Sequence, residues 1–139
     1  MSDSEQGPLP PGAQLVRFSS GEWLEEPSNA AQVHPIVRFS EGPSSTSVTW
    51  VSIDGRHRRL FSSRSARCYL VLSGELTFVL GSGPAVRVRA KDALVVPRGC
   101  VYGFEGRATY LVMNTPAFEH GDDGYEDGGH EAEGAAARP

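Results

Sequence analysis

A chain of 139 residues with 13 basic and 17 acidic side chains is long enough for one domain around one core, and its mildly acidic balance argues against nucleic-acid binding through bulk electrostatics. Two cysteines, Cys68 and Cys100, are too few for a disulfide scaffold, so reduced thiols and a cytoplasmic location are expected. No apolar run approaches the roughly 18 residues of a spanning helix, and no basic segment leads into an apolar one near Met1; neither a membrane partner nor a secretory signal is expected.

Residues 1–13 are polar and proline-rich and are expected to be disordered. Gln14 to Phe18 reads as an edge strand, and Ser20 to Pro27 as a single helical turn that the proline stops, with Trp23 and Leu24 covering the outside of the fold. Val33 to Phe39 is apolar, but Pro35 removes a ladder donor and demotes the stretch to an edge. Val48 to Ile53 alternates as a strand and ends at Asp54-Gly55, a hairpin-type turn signal. His57 to Phe61 begins another strand, and Ser62 to Ala66 is irregular.

The stretch from Arg67 to Phe104 organises the rest. Tyr69–Leu72, Leu76–Leu80, Ala85–Arg89, Ala93–Val96 and Cys100–Phe104 are short β-branched and aromatic runs, divided by Ser73-Gly74, Gly81–Pro84, Ala90–Asp92 and Pro97–Gly99. Turn signals at that density, with no apolar spacing of three and four, predict an all-β antiparallel meander closed as a sandwich or barrel. Ala108 to Met113 is a last strong strand, and Phe118 is expected to plug one barrel end. Residues 119–139 are acidic and glycine-rich and read as a disordered tail, which leaves residues 14–118 as the domain.

Two motifs here resemble those of a small single-domain cupin, over roughly residues 47–118. That family's first motif ends E-x6-G, and Arg67 stands seven residues before Gly74; its second runs G-x5-P-x-G-x2-H-x3-N, and Lys91 precedes Asp92–Pro97-Arg98-Gly99 in that spacing. The resemblance implies a jelly-roll β-barrel. It also places the family's metal ligands on Phe61 and Ser63, or Leu60 and Ser62, with Arg67 and Tyr102 as the remaining two; the family's asparagine falls on Gly106. None of these is a customary ligand, and an arginine in the shell repels a divalent cation. No cofactor is therefore expected. His57 lies three or four residues too early and is a weak metal candidate that needs a shifted register; a solvated strand end is its commoner role.

Arg67 and Tyr102, if both point inward, offer a guanidinium fork beside a phenol, which suits an anionic or oxygen-rich organic ligand. Period two puts Tyr69 and Val71 on the face of Arg67, and Cys100 and Phe104 on that of Tyr102, so these are the candidate ligand-binding residues. Tyr102 and Glu105 are the candidate acid/base pair. Each has a plainer reading. Arg67 could pair with Glu105 or Glu75 at a rim, the tyrosines could fill core, Cys100 could be a small hydrophobe, and Glu105 a solvated loop acid. Arg58, Arg59, Arg64, Arg87 and Arg89 read as outward positions that protect strand edges.

The resulting expectation is a metal-independent barrel that binds a small organic molecule, as an isomerase, epimerase or cyclase working by acid/base chemistry. A non-catalytic sensor or accessory protein is the alternative, and a metal-dependent dioxygenase or isomerase through His57 comes third. Whether the chain is an enzyme is left open by its residues. Leu70, Leu72, Leu76, Phe78 and Leu80 supply more apolar surface than one interior consumes, so a homodimer is expected.

Overall fold

The computed structural model describes Pro10, Ala13, Leu15, Arg17, Phe18 and residues 22–37, 45–119 and 121–126. Most of the segment expected to be disordered at residues 1–13, and all of the tail beyond 126, lie outside the described residues. Eight strands follow one another: β1 (Leu24–Glu26), β2 (Ala31–Val37), β3 (Ser47–Ser62), β4 (Ala66–Leu80), β5 (Ala85–Arg89), β6 (Ala93–Val96), β7 (Tyr102–Thr115) and β8 (Asp123–Tyr125). All pairings are antiparallel, in the order β1-β2-β3-β7-β4-β5, with β6 also on β4 and β8 on β3. The all-β class is as the sequence predicts.

Three of the strands are longer than the sequence suggests, because their glycines bend a strand instead of ending it. Asp54-Gly55 is not a hairpin turn: β3 runs through it and pairs Gly55 with Gly106 of β7. Ser73-Gly74 likewise lies inside β4, and Gly106 inside β7. A Cβ on Gly74 would stand 2.1 Å from the Arg107 carbonyl oxygen, and one on Gly106 2.3 Å from that of Glu75. Only glycine lets β4 and β7 approach so closely, and both residues sit at positive φ, where glycine alone carries no penalty.

Along this glycine line the sheet folds over itself. The first half of β4 pairs with β6 and the second half with β5, while β3 gives its first half to β2 and its end to β8. Tyr69 and Phe78 are nine residues apart on β4, about 30 Å if the strand were straight. Their rings meet at 5.1 Å. The two halves therefore face each other, and one core fills the gap, with Val51, Ile53, Tyr69, Val71 and Tyr110 from one half against Leu60, Leu76, Phe78, Tyr102 and Phe104 from the other. Register shifts between Val71 and Ser73, and between His57 and Leu60, swap which parity points inward. That is why Arg67, Tyr69 and Val71 share a face with Leu76 and Phe78.

Several expectations need correction. Leu24–Glu26 is a strand followed by a short 3-10 turn at Pro27–Asn29, not a helical turn, because β2 offers it an open edge. Pro35 sits at the β2 irregularity and beyond the reach of β1, where its missing N–H costs no ladder bond. Leu15, Arg17 and Phe18 are not in a strand; the Phe18 ring packs 5.0 Å from that of Trp50, and its carbonyl accepts from His34. Leu76 and Phe78 belong to the core, so less apolar surface is left for a partner than five residues would give; Leu72 and Val95 remain exposed.

Most consequential is the chain beyond Phe118. Residues 121–126 do not belong to a disordered tail: Asp123–Tyr125 forms β8 on the end of β3. Four arginines hold it there. Arg58 lies 3.8 Å above the Tyr125 ring, Arg59 pairs with Glu126, Arg64 with Asp122 and Glu119, and Arg67 with Asp123. Of the arginines expected to face outward, Arg87 and Arg89 do so, each beside Glu75, whereas Arg58, Arg59 and Arg64 serve this segment.

Candidate functional site

A cavity of about 300 Å³ opens between the folded halves, large enough for a small organic molecule. Its β2 side is apolar, with Ala31, Val33, Pro35 and Val37, and Val51, Val112 and Phe118 extend that lining. The rest is polar, with Glu26, His57, Arg67, Tyr69, Asn114 and Asp123. A ligand here meets hydrocarbon on one face and a hydrogen-bonding array on another.

Arg67 stands at the centre of the array. It is 5% exposed; its Nη2 donates to Asp123 and its Nη1 to the Tyr102 hydroxyl at 3.2 Å. Burial works against the guanidinium charge, but the oxygens of Tyr102, Asp123 and Tyr69 outweigh it and hold the group well above its ordinary value. Arg67 is thus a fixed cation. The Tyr102 hydroxyl is 2.6 Å from that of Tyr69. Burial raises both phenols, so both stay protonated at neutral pH. When Tyr102 accepts from Arg67 and donates to Tyr69, the Tyr69 hydroxyl hydrogen is left for the cavity. The relay is charge-assisted at its far end, which polarises the last O–H.

His57 reaches the cavity from β3. Its ring stacks on Phe104 with centroids 4.7 Å apart, and its Nδ1 lies 2.8 Å from the Arg58 carbonyl oxygen. A carbonyl accepts only, so Nδ1 must carry the proton and Nε2 keeps its lone pair. Burial lowers the imidazole pKa, against the Arg58 carbonyl and the charges of Asp123 and Glu26, which raise it. A neutral ring with a bare, orientated nitrogen is the state a general base needs.

The structure divides the residues named from sequence. Arg67, Tyr69 and His57 line the cavity. Tyr102 lies behind them, bonded to two of them. Val71 and Phe104 are core residues that do not line it, and Cys100 precedes β7, its thiol 3.7 Å from the Val101 carbonyl oxygen. Glu105 cannot serve as the base: it points outward, mostly exposed, 3.7 Å from Arg56. The reason is parity, since Glu105 lies between the inward Phe104 and the crease at Gly106. Arg67 pairs with neither Glu105 nor Glu75, and its fork is not open to an anion. Asp123 takes up the charge of Arg67 and Glu119 that of Arg64, and Glu26 adds a further carboxylate to the lining, which together disfavour an anionic ligand.

Glu26, Asn114 and Asp123 were not singled out from sequence. Glu26 ends a short acidic strand without a pattern, and Asp123 sits in a stretch whose composition hides a three-residue alternation. Asn114 continues the inward parity of Tyr110 and Val112, and that signal could have found it.

For metal, the positions that the cupin resemblance assigns do not fit. Arg67 is a cation, Tyr102 is committed to hydrogen bonds, Leu60 is core, and among the described residues no group of three or more His, Cys, Asp or Glu could hold an ion. No helix among the described residues is long and apolar enough to cross a membrane.

No protein-family model matches the chain, and no curated protein matches it. Solved structures do. Pac13, described as a nucleoside dehydratase, is 23% identical, with a TM-score of 0.70 over 87% of this chain and 97% of its own. Its Streptomyces variants, one with a histidine replaced by glutamine and others with a tyrosine replaced by phenylalanine, are seen with uridine. A cupin-like protein from Thermotoga maritima (16% identical, TM-score 0.60, 77% of this chain and 84% of that one) and the polyketide cyclase RemF from Streptomyces resistomycificus (17%, 0.61, 79% and 89%) share the architecture. These likenesses place the fold of the chain among cupin-like β-barrels.

Proposed function

We propose that the chain is a small-molecule enzyme that moves protons on a neutral, hydroxyl-bearing organic substrate, in an elimination, isomerisation or cyclisation that uses its own side chains. The observation that carries this reading is His57: Nδ1 is tied to the Arg58 carbonyl oxygen, the ring is braced on Phe104, and it lines the cavity. His57 takes a proton from carbon next to a carbonyl. Tyr69, fed by Tyr102 and Arg67, donates to the oxygen on which negative charge develops. The carboxylates around the cavity favour a neutral substrate over a phosphorylated or carboxylated one, which revises the anionic ligand expected from Arg67. The uridine-bound neighbours support nucleosides as the first compounds to try. In this reading the working protein is cytoplasmic, metal-independent and a homodimer, and the domain extends through Glu126.

Thermal-shift screening of nucleosides, sugars and lactones, followed by incubation of the hits in deuterium oxide, tests the proposal. NMR should show deuterium entering at a carbon next to a carbonyl with wild type and not with His57→Gln. Binding without exchange in both proteins would leave a sensor and remove the enzyme.

A further inference from the structure

The outer faces of the two halves carry opposite chemistry. Behind Leu76 and Phe78, one outward row reads Arg87, Thr77, Glu105 and Arg56, and the next Arg89, Glu75, Arg107 and Asp54. Opposite signs alternate across these strands, and Arg87 and Arg89 both pair with Glu75, as on a sheet face made for water. Behind Tyr69 and Val71, the register sets Ala93, Leu70, Leu111, Trp50 and His34 in one row across β6, β4, β7, β3 and β2. Val95, Cys68, Met113 and Val48 form the next row. Their neighbours along the strands, among them Tyr69, Tyr110 and Val51, point into the core or the cavity, so alternation turns these two rows outward. Neither row holds an Asp, Glu, Lys or Arg. The row beyond, Ser73, Thr109, Ser52 and Gln32, is polar and uncharged. A half-sheet facing water alternates apolar inside with polar outside; this one is apolar on both faces.

We propose that this outer face docks a second copy of the chain. Charge selects that occupant: each copy carries a net charge of −4, so copies repel unless they meet through a surface without charge, and a partner recruited by charge finds no counterpart here. Shape selects it as well. Ala93 and Val95 are short, whereas at the β2 end the Phe18 ring lies 5.0 Å from Trp50 and 4.2 Å from His34, and Trp23 lies 5.1 Å from His34. A two-fold axis parallel to the strands and close to β7 reverses the strand order, so the aromatic end of each copy lies on the Ala93 and Val95 end of the other. At ordinary strand spacings the face, with its polar row and aromatic edge, is about 30 Å by 20 Å, roughly 600 Å² per copy, which reaches the lower limit of about 1,200 Å² for a stable pair. This rests on the reading of the working protein as a homodimer, to which it adds the face and the axis, and not on the chemistry of the cavity.

Sedimentation velocity over about 1–100 μM protein tests it. Wild type should form a dimer. Val95 is 64% exposed, so Val95→Asp costs the fold little, yet it sets an unpaired carboxylate under the aromatic end of the other copy and should weaken the dimer at least about 100-fold. Leu111→Arg, which meets its own copy near the axis, should do the same, and Arg87→Ala on the charged face should leave the dimer intact. In a Cys100→Ser background, alkylation of Cys68 by iodoacetamide should be at least about tenfold slower in the dimer than in the Val95→Asp monomer, a readout that does not depend on Leu111→Arg folding. A wild-type monomer, a dimer that survives Val95→Asp, or equal alkylation in the two states overturns the assignment and leaves the acid/base reading of the cavity standing. A monomer whose Cys68 is slow to react at every concentration would show that this chain covers the face itself, and overturns it too.

Discussion

Asp123 and Arg67, 56 residues apart in the chain, form an ion pair buried in the cavity wall, 7% and 5% exposed. The pair joins the last strand to the longest relay of the site, since Arg67 also donates to Tyr102. The same contact that orders β8 thus sets the charge and direction of the group behind Tyr69.

Removing the carboxylate leaves that guanidinium buried without its counter-charge. Asp123→Asn should lower stability by about 3–5 kcal/mol in urea unfolding, because a broken buried pair costs more than the pair contributes. Arg67→Met with Asp123→Leu should recover most of this loss. A single variant within 1 kcal/mol of wild type would mean that the pair is solvated in solution.

Acid should weaken the fold through His57. The imidazole is lowered in the folded state, so between the unfolded value near 6.5 and the folded value the unfolded chain binds the extra proton. Stability from this group is complete above pH 6.5 and is lost as pH falls below it, by at most about 1.4 kcal/mol per pH unit. Unfolding measured from pH 7.5 to 5 should show a shallower fall for His57→Gln than for wild type. Parallel curves would contradict a neutral, buried ring.

The crease predicts a contrast between two glycines at positive φ. Gly106→Ala drives a Cβ onto the Glu75 carbonyl oxygen and should cost about 3 kcal/mol or more; Gly99→Ala meets nothing within 4 Å and should cost about 1 kcal/mol, the conformational penalty alone. Thermal unfolding of the two variants side by side checks it.

Glu105 and Tyr69 should separate cleanly in function. Glu105→Gln loosens an exposed pair with Arg56 and should change stability by less than about 1 kcal/mol and leave deuterium exchange on a screened substrate at the wild-type rate. Tyr69→Phe removes the terminal donor and should slow exchange by about 10²–10³ with binding retained. The reverse order would move the chemistry to the outer surface.

Sequence periodicity revealed the strands and the inward face of Arg67, Tyr69 and Val71, because alternation is a local property. It misjudged where strands end. Gly55, Gly74 and Gly106 carry the same local signal whether they turn a chain or crease it, and only the close approach of β4 to β7 decides between them. The Pro-x-Gly spacing at Pro97–Gly99 led to Tyr102, which lies behind the cavity and bonds to Arg67 and Tyr69, and one step of parity put Glu105 outside. Asp123 was out of reach. A three-residue strand held by arginines on Asp123, Tyr125 and the residues that flank it leaves no periodic trace, and acidic, glycine-rich composition argues for its opposite.

The clasp of Arg58, Arg59, Arg64 and Arg67 on residues 119–126 has a practical corollary for anyone shortening this protein. Trimming at Phe118, where composition invites the cut, would strip away the carboxylates paired with Arg59, Arg64 and Arg67 and the ring beneath Arg58, and unroof the hollow in which any assay would look for binding. A trimmed protein that proved inert would report the loss of its own lid rather than the absence of a ligand.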